Sequence, residues 1–137
     1  MENKYFTPDI EDVYVGYECE QLINGIWKNE IFAKGSYLPE NIDLLHWAYT
    51  CIINESLRVP YLTKEQIEAE GWIKAKAPIV TINHDFYEIP YIKDNFRVDY
   101  NFRNNLINII ENNGKNLFYG KCKDINTFRK IIKLLGI

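Results

Sequence analysis

Residues 96–103, FRVDYNFR, alternate without a break: Phe96, Val98, Tyr100 and Phe102 are apolar, while Arg97, Asp99, Asn101 and Arg103 are polar. Strict period-two alternation predicts an antiparallel strand with one face in a core and the other in water. A strand pair is predicted nearer the N-terminus. Residues 14–23 and 26–32 flank Asn24-Gly25, a pair that supplies both positive-φ positions of a type I′ hairpin turn. Along the first of these strands Tyr17 and Cys19 point one way, Glu18 and Glu20 the other. Gly16 is expected to mark a bulge or a close backbone approach.

The period changes over residues 40–54, where Ile42, Leu45, Ala48, Tyr49 and Ile52 recur at helical spacing. A shorter helix follows. Thr63 and Gln66 form a Thr-x-x-Gln capping box, Gly71 ends the helix about two turns later, Ile67 points inward and Leu62 staples the start. From Trp72 an antiparallel meander is expected, with strands at 72–76, 79–83, 86–92, 96–103, 106–111 and 116–122. Its turns fall at Asp94-Asn95, Asn104-Asn105 and Asn113-Gly114. The chain ends in an amphipathic helix with Ile125, Phe128, Ile132 and Leu135 on one stripe and Lys123, Lys130 and Lys133 opposite. Together these predict an α+β fold: a mostly antiparallel sheet, N-terminal hairpin plus meander, packed against the C-terminal helix and one or two further helices. No linker or repeat interrupts it, and 137 residues fit a single domain spanning 1–137.

Composition adds a core and removes a membrane. Apolar residues make up 47% of the chain and aromatics 15%, enough to fill a hydrophobic interior. No apolar run approaches the roughly 18 residues a spanning helix needs. The polar start Met1-Glu2-Asn3-Lys4 does not resemble a signal peptide, so a cytoplasmic protein is expected. The three cysteines, Cys19, Cys51 and Cys122, are odd in number and form no C-x-x-C pair, and there are two histidines. Buried structural thiols are therefore expected in place of disulfides or a metal site.

Charge is uneven. Residues 1–70 hold thirteen Asp/Glu and five Lys/Arg; residues 71–137 hold six and eleven. Two surfaces of opposite sign follow if the halves occupy different faces, and cancellation follows if they interleave. The densest acidic stretch, YFTPDIEDVYVGYECE, contributes Asp9, Glu11, Asp12, Glu18 and Glu20. Glu18 and Glu20 share a strand face about 7 Å apart, a spacing like that of phosphates along a nucleic-acid strand. This group is expected to be a surface for a basic partner; ordinary solvated charges are the plainer alternative.

Enzymatic readings find less support. A metal-dependent nuclease would want an Asp and a Glu-x-Lys on adjacent strands, but Glu20 stands where the Lys belongs, and Asp9 precedes the strand. His46 and Cys51, five apart on a helix, point in different directions, and His84-Asp85 reads as a turn entry more than a dyad. No glycine-rich phosphate loop is present, so no nucleotide cofactor is expected, nor any other. RNA binding draws on Arg97, Arg103, Lys121, Lys123, Lys130 and Lys133. However, Phe96, Tyr100 and Phe102 lie on the face opposite Arg97 and Arg103, which assigns them to core and not to base stacking.

The blocks YFTPDIEDVYVGYECE, LRVPYLTKEQIEAEGW and GKCKDINTFRKIIKLLGI resemble a family of small, uncharacterised proteins encoded by bacteria and their phages, in which such blocks frame a variable middle. The resemblance covers about a third of the chain and carries no catalytic or binding residues with it. It implies a phage or mobile-element setting, where compact proteins without enzyme motifs often block host defence systems, CRISPR effector nucleases included. The expected function is thus a non-catalytic binding protein whose partner is a protein, with a nucleic-acid-targeting effector complex as the specific form. An RNA-binding module is the alternative, and a metal-dependent nuclease a distant third.

Overall fold

The computed structural model describes residues 4–32, 44–75, 79–80, 87–88 and 90–137, with only the backbone described at 44–45, 79–80 and 87–88. The chain divides into two compact units, Met1–Tyr61 and Leu62–Ile137. Each has its own hydrophobic cluster. The sequence pattern carried no sign of a division at residues 61/62.

In the N-terminal unit four strands form one antiparallel sheet in the order β1-β4-β2-β3. They are β1 (Tyr5–Phe6), β2 (Glu18–Ile23), β3 (Ile26–Ile31) and β4 (Leu57–Pro60). The β2–β3 hairpin turns on Asn24 (φ 52°) and Gly25 (φ 78°), as the pair predicts. Its first strand starts four residues later than expected, because the Tyr17 N–H closes a turn on the Tyr14 carbonyl (3.0 Å). Gly16 lies in that turn at φ 96° and donates its N–H to the Phe32 carbonyl (2.9 Å); a Cβ there would meet nothing within 4 Å, so the positive φ, and neither a bulge nor a close approach, is what favours glycine. One sheet face carries Cys19, Phe32, Leu57 and Val59 into a core closed by Ala48 and Cys51 of α1 (Leu44–Ile53). Ile10 and Val13, in and just after a 3₁₀ turn at Ile10–Asp12, pack on the same core. The helix expected at 40–54 is therefore present over its described part.

The C-terminal unit opens with α2 (Lys64–Ala69), whose capping box is complete: Thr63 Oγ1 accepts from the Gln66 N–H and Gln66 Oε1 from the Thr63 N–H. Gly71 turns the chain at φ 91°, and Trp72 enters the core. Five strands then pair antiparallel in the order β11-β10-β9-β8-β5. They are β5 (Ile73–Lys74), β8 (Tyr91–Lys93), β9 (Phe96–Asn101), β10 (Leu106–Glu111) and β11 (Asn116–Lys121). A two-stranded ribbon, β6 (Ile79–Val80) with β7 (Tyr87–Glu88), intervenes in sequence between β5 and β8. The rest of the strands expected at 79–83 and 86–92 falls partly outside the described residues. Val98, Tyr100, Ile107 and Ile109 line the inner face, against Ile125, Phe128 and Ile131 of α3 (Ile125–Leu134). Ile131 is the buried apolar residue of α3 outside the predicted stripe, and Asn126 is buried as well; Ile132 and Leu135 are only half-buried.

The α+β class with antiparallel strands holds, with hairpin and meander in separate sheets. No helix among the described residues is long and apolar enough to cross a membrane.

Candidate functional site

The outer face of the N-terminal sheet carries the most unusual grouping. Alternation along β2 takes Cys19 and Gln21 inward and leaves Glu18, Glu20 and Leu22 outside. Register then decides who meets whom. Glu20 stands opposite Arg58 of β4 and Asn29 of β3. On one side of this row Leu22 faces Trp27; on the other, Glu18 faces Ile31 and Tyr5 faces Pro60. The Arg58 guanidinium carbon lies 3.7 Å from the Tyr5 ring centroid and 4.0 Å from that of Trp27. Nη2 and Nε both donate to Glu20 Oε1, at 2.8 and 3.1 Å. The cation is held by side chains from the other three strands, Tyr5, Glu20 and Trp27, with two aromatic rings at cation–π distance. Leu22 (39% exposed) and Ile31 (48%) flank it in solvent.

The predicted acidic group is divided by this arrangement. Asp9, Glu11 and Asp12 are exposed at the 3₁₀ turn, whose apolar residues pack on the core side of the sheet. Glu18 and Glu20 lie half-buried on the opposite face, and Glu20 is committed to Arg58. The five carboxylates therefore do not form one continuous patch. The sequence pattern gives no sign of the aromatic pair around Arg58, because Tyr5, Trp27 and Arg58 are distant in sequence and meet only through strand order.

The predicted basic group is divided too. Arg97 lies on the outer face of the second sheet and donates through Nη2 to Asp99 Oδ2 at 3.1 Å. Burial raises the Asp99 pKa, and Arg97 acts against that rise. Lys121 shares this face and donates from Nζ to the Asn104 carbonyl (2.8 Å). Arg103 is exposed in the β9–β10 turn and Lys123 just before α3. Lys130 and Lys133 are exposed on α3, which covers the other face of that sheet. Phe96 and Tyr100 belong to the core as expected, while Phe102 is at the surface with its ring edge-on to Tyr100. The exposed aromatic of the outer face is Tyr119 (64%), directly opposite Asn108 and two residues from Lys121.

The candidate nucleophiles are sequestered. Cys19, Cys51 and Cys122 are free and buried. Burial, with the neighbouring Cys51, Glu30, Glu18 and Glu20, pushes the Cys19 thiol up to about 12. Burial and Asp124 push Cys122 to about 12 as well, and burial raises Cys51. Such thiols stay protonated and unreactive. His46 is exposed on α1 while Cys51 is buried, and the pair His84-Asp85 lies outside the described residues.

The outer face thus defines a two-unit α+β protein with a preformed aromatic–arginine cluster on its N-terminal sheet. No family model, no curated protein and no solved structure matches the chain.

Proposed function

We propose that this chain is a non-catalytic binding protein that docks a protein partner on the outer face of its N-terminal sheet. The observation that carries this is the Tyr5–Arg58–Trp27 stack with Leu22 and Ile31 exposed beside it. Tyrosine, tryptophan and arginine concentrate binding energy at protein interfaces. Side chains already fixed before docking lose little entropy when they dock. Burying Leu22 and Ile31 would add the apolar area a stable complex needs. Residues 1–61 hold ten Asp/Glu and four Lys/Arg, a charge that favours a basic partner.

The phage setting that the sequence blocks resemble directs the proposal to a host nucleic-acid-targeting complex, in its sharpest form a CRISPR effector ribonucleoprotein whose RNA channels are basic. The test is affinity capture from host lysate, with and without nuclease treatment, using the wild-type chain and a Leu22→Lys/Ile31→Lys variant. The identified partner is then rebuilt from purified components. One protein that survives nuclease, is lost with the variant and binds directly supports the reading. Partners that vanish with nuclease, or bind the variant equally well, overturn it. The first of those outcomes would favour the RNA-binding alternative, which draws on exposed Tyr119 beside Lys121 and on Arg103.

A further inference from the structure

A cavity of about 310 Å³ opens in the C-terminal unit beside α3. Trp72, Phe128 and Ile132 give it an apolar wall, and the Trp72 and Phe128 rings meet edge-on at 6.1 Å between centroids. Lys93, Arg129 and Lys133 bring three cations to it, and the Glu70 carboxylate and the terminal residue Ile137 complete the polar part of its lining. The Glu70 carboxylate is paired with Arg129.

Lys93 is the informative residue. It is half-buried, and its Nζ donates to the Glu70 carbonyl at 3.0 Å, where it caps the C-terminal end of α2. It also stands 5.9 Å from the Trp72 ring centroid. Both partners are neutral, and no ion pair joins Lys93 to a carboxylate among the described residues. An ammonium that has given up part of its hydration to a carbonyl and a ring still has N–H groups to offer an anion. Trp72 carries a second unmet need: its Nε1 is buried and has no hydrogen-bond acceptor.

We propose that this cavity binds a small organic anion: a flat apolar body against Trp72, Phe128 and Ile132, bearing a carboxylate or phosphate that accepts from Lys93 and Lys133. The cavity volume falls at the lower end of the range of small-molecule sites, and apolar walls with a few convergent polar groups are their usual composition. The site lies entirely within the C-terminal unit and does not depend on the docking face of the N-terminal sheet.

The test uses the full chain labelled with ¹⁵N. Its three tryptophans give three indole N–H resonances, and Trp27→Phe and Trp47→Phe variants assign the third to Trp72. Phenyl phosphate and benzoate are titrated as probes, with benzyl alcohol as the body without the charge and inorganic phosphate as the charge without the body. The expected result is a saturable shift of the Trp72 indole with one or both probes, at concentrations at least tenfold below those at which either control acts. The stronger probe tells phosphate from carboxylate. Lys133→Gln, at an exposed position that leaves the fold intact, should weaken binding fivefold or more, and Lys93→Gln likewise. No saturable shift at Trp72, equal response to benzyl alcohol, or unchanged affinity in Lys133→Gln/Lys93→Gln would overturn the proposal.

Discussion

Glu20 and Arg58 face each other across the β2–β4 register, and one carboxylate oxygen receives both guanidinium bonds. This pairing changes what the acidic N-terminal stretch can be. A carboxylate held by a cation that itself lies against the Tyr5 and Trp27 rings adds little negative field outside. What the face offers a partner is a rigid, mostly apolar surface with a fixed polar centre.

Arg58→Ala should destabilise the protein by about 1–2 kcal/mol. The ion pair is only partly shielded from solvent, so it contributes at the low end for charged pairs, and each ring contact adds a few tenths to about 1 kcal/mol. Arg58→Lys should recover less than half of that loss, because an ammonium has neither the flat surface that packs on aromatic rings nor the second donor that reaches Glu20. Urea denaturation of the three proteins measures both effects; equal stability of Arg58→Ala and wild type would deny the stack any structural role.

Thr63→Ala removes one half of the reciprocal cap on α2 and should cost about 1 kcal/mol, with Thr63→Ser close to wild type. Thermal melts followed by circular dichroism suffice. Because Ile67 of this helix is completely buried, the loss should appear in the global transition and not as fraying alone.

Stability should fall at alkaline pH through the buried thiols. Cys19 and Cys122 move from an ordinary 9.0 up to about 12 in the folded chain, burial being the main cause. Between those values the unfolded state has lost protons the folded state keeps, so stability decreases as pH rises. The contribution is fully present below pH 9 and declines by up to about 1.4 kcal/mol per pH unit for each thiol. Urea midpoints at pH 8 and pH 10 should differ, and Cys122→Ala should show the smaller difference. A thiol reagent at pH 8 should modify none of the three cysteines until urea is added.

What the sequence made legible was local. Asn24-Gly25, the Thr63/Gln66 box and the alternation over 96–103 each act on the backbone through neighbours a few residues away; the turn and the box are found as predicted, and the strand is found over 96–101, with Phe102 and Arg103 in the turn that follows. What it hid was non-local. Strand β1 is two residues long, and it pairs with β4 more than fifty positions on. That pairing brings Tyr5 to Arg58. The exposed position of Leu22 follows from the same arithmetic of alternation that buries Gln21, but its hydrophobicity alone points to the core. The break between the two units left no mark either, since Pro60-Tyr61-Leu62 lacks the glycine and polar content of a linker.

Strand β3 ends the N-terminal sheet among the described strands, with Ile26 and Ile31 exposed at its two ends. The last strand of a sheet is an invitation to a second copy of the same strand. Lys28 and Glu30 lie in the middle of β3, so that two such strands laid side by side would have to draw both charges at least partly out of water. The middle of β3 thus acts as a solubility guard. A chain carrying threonine and valine at positions 28 and 30 would keep its fold and lose its monodispersity, which light scattering over a concentration series would register.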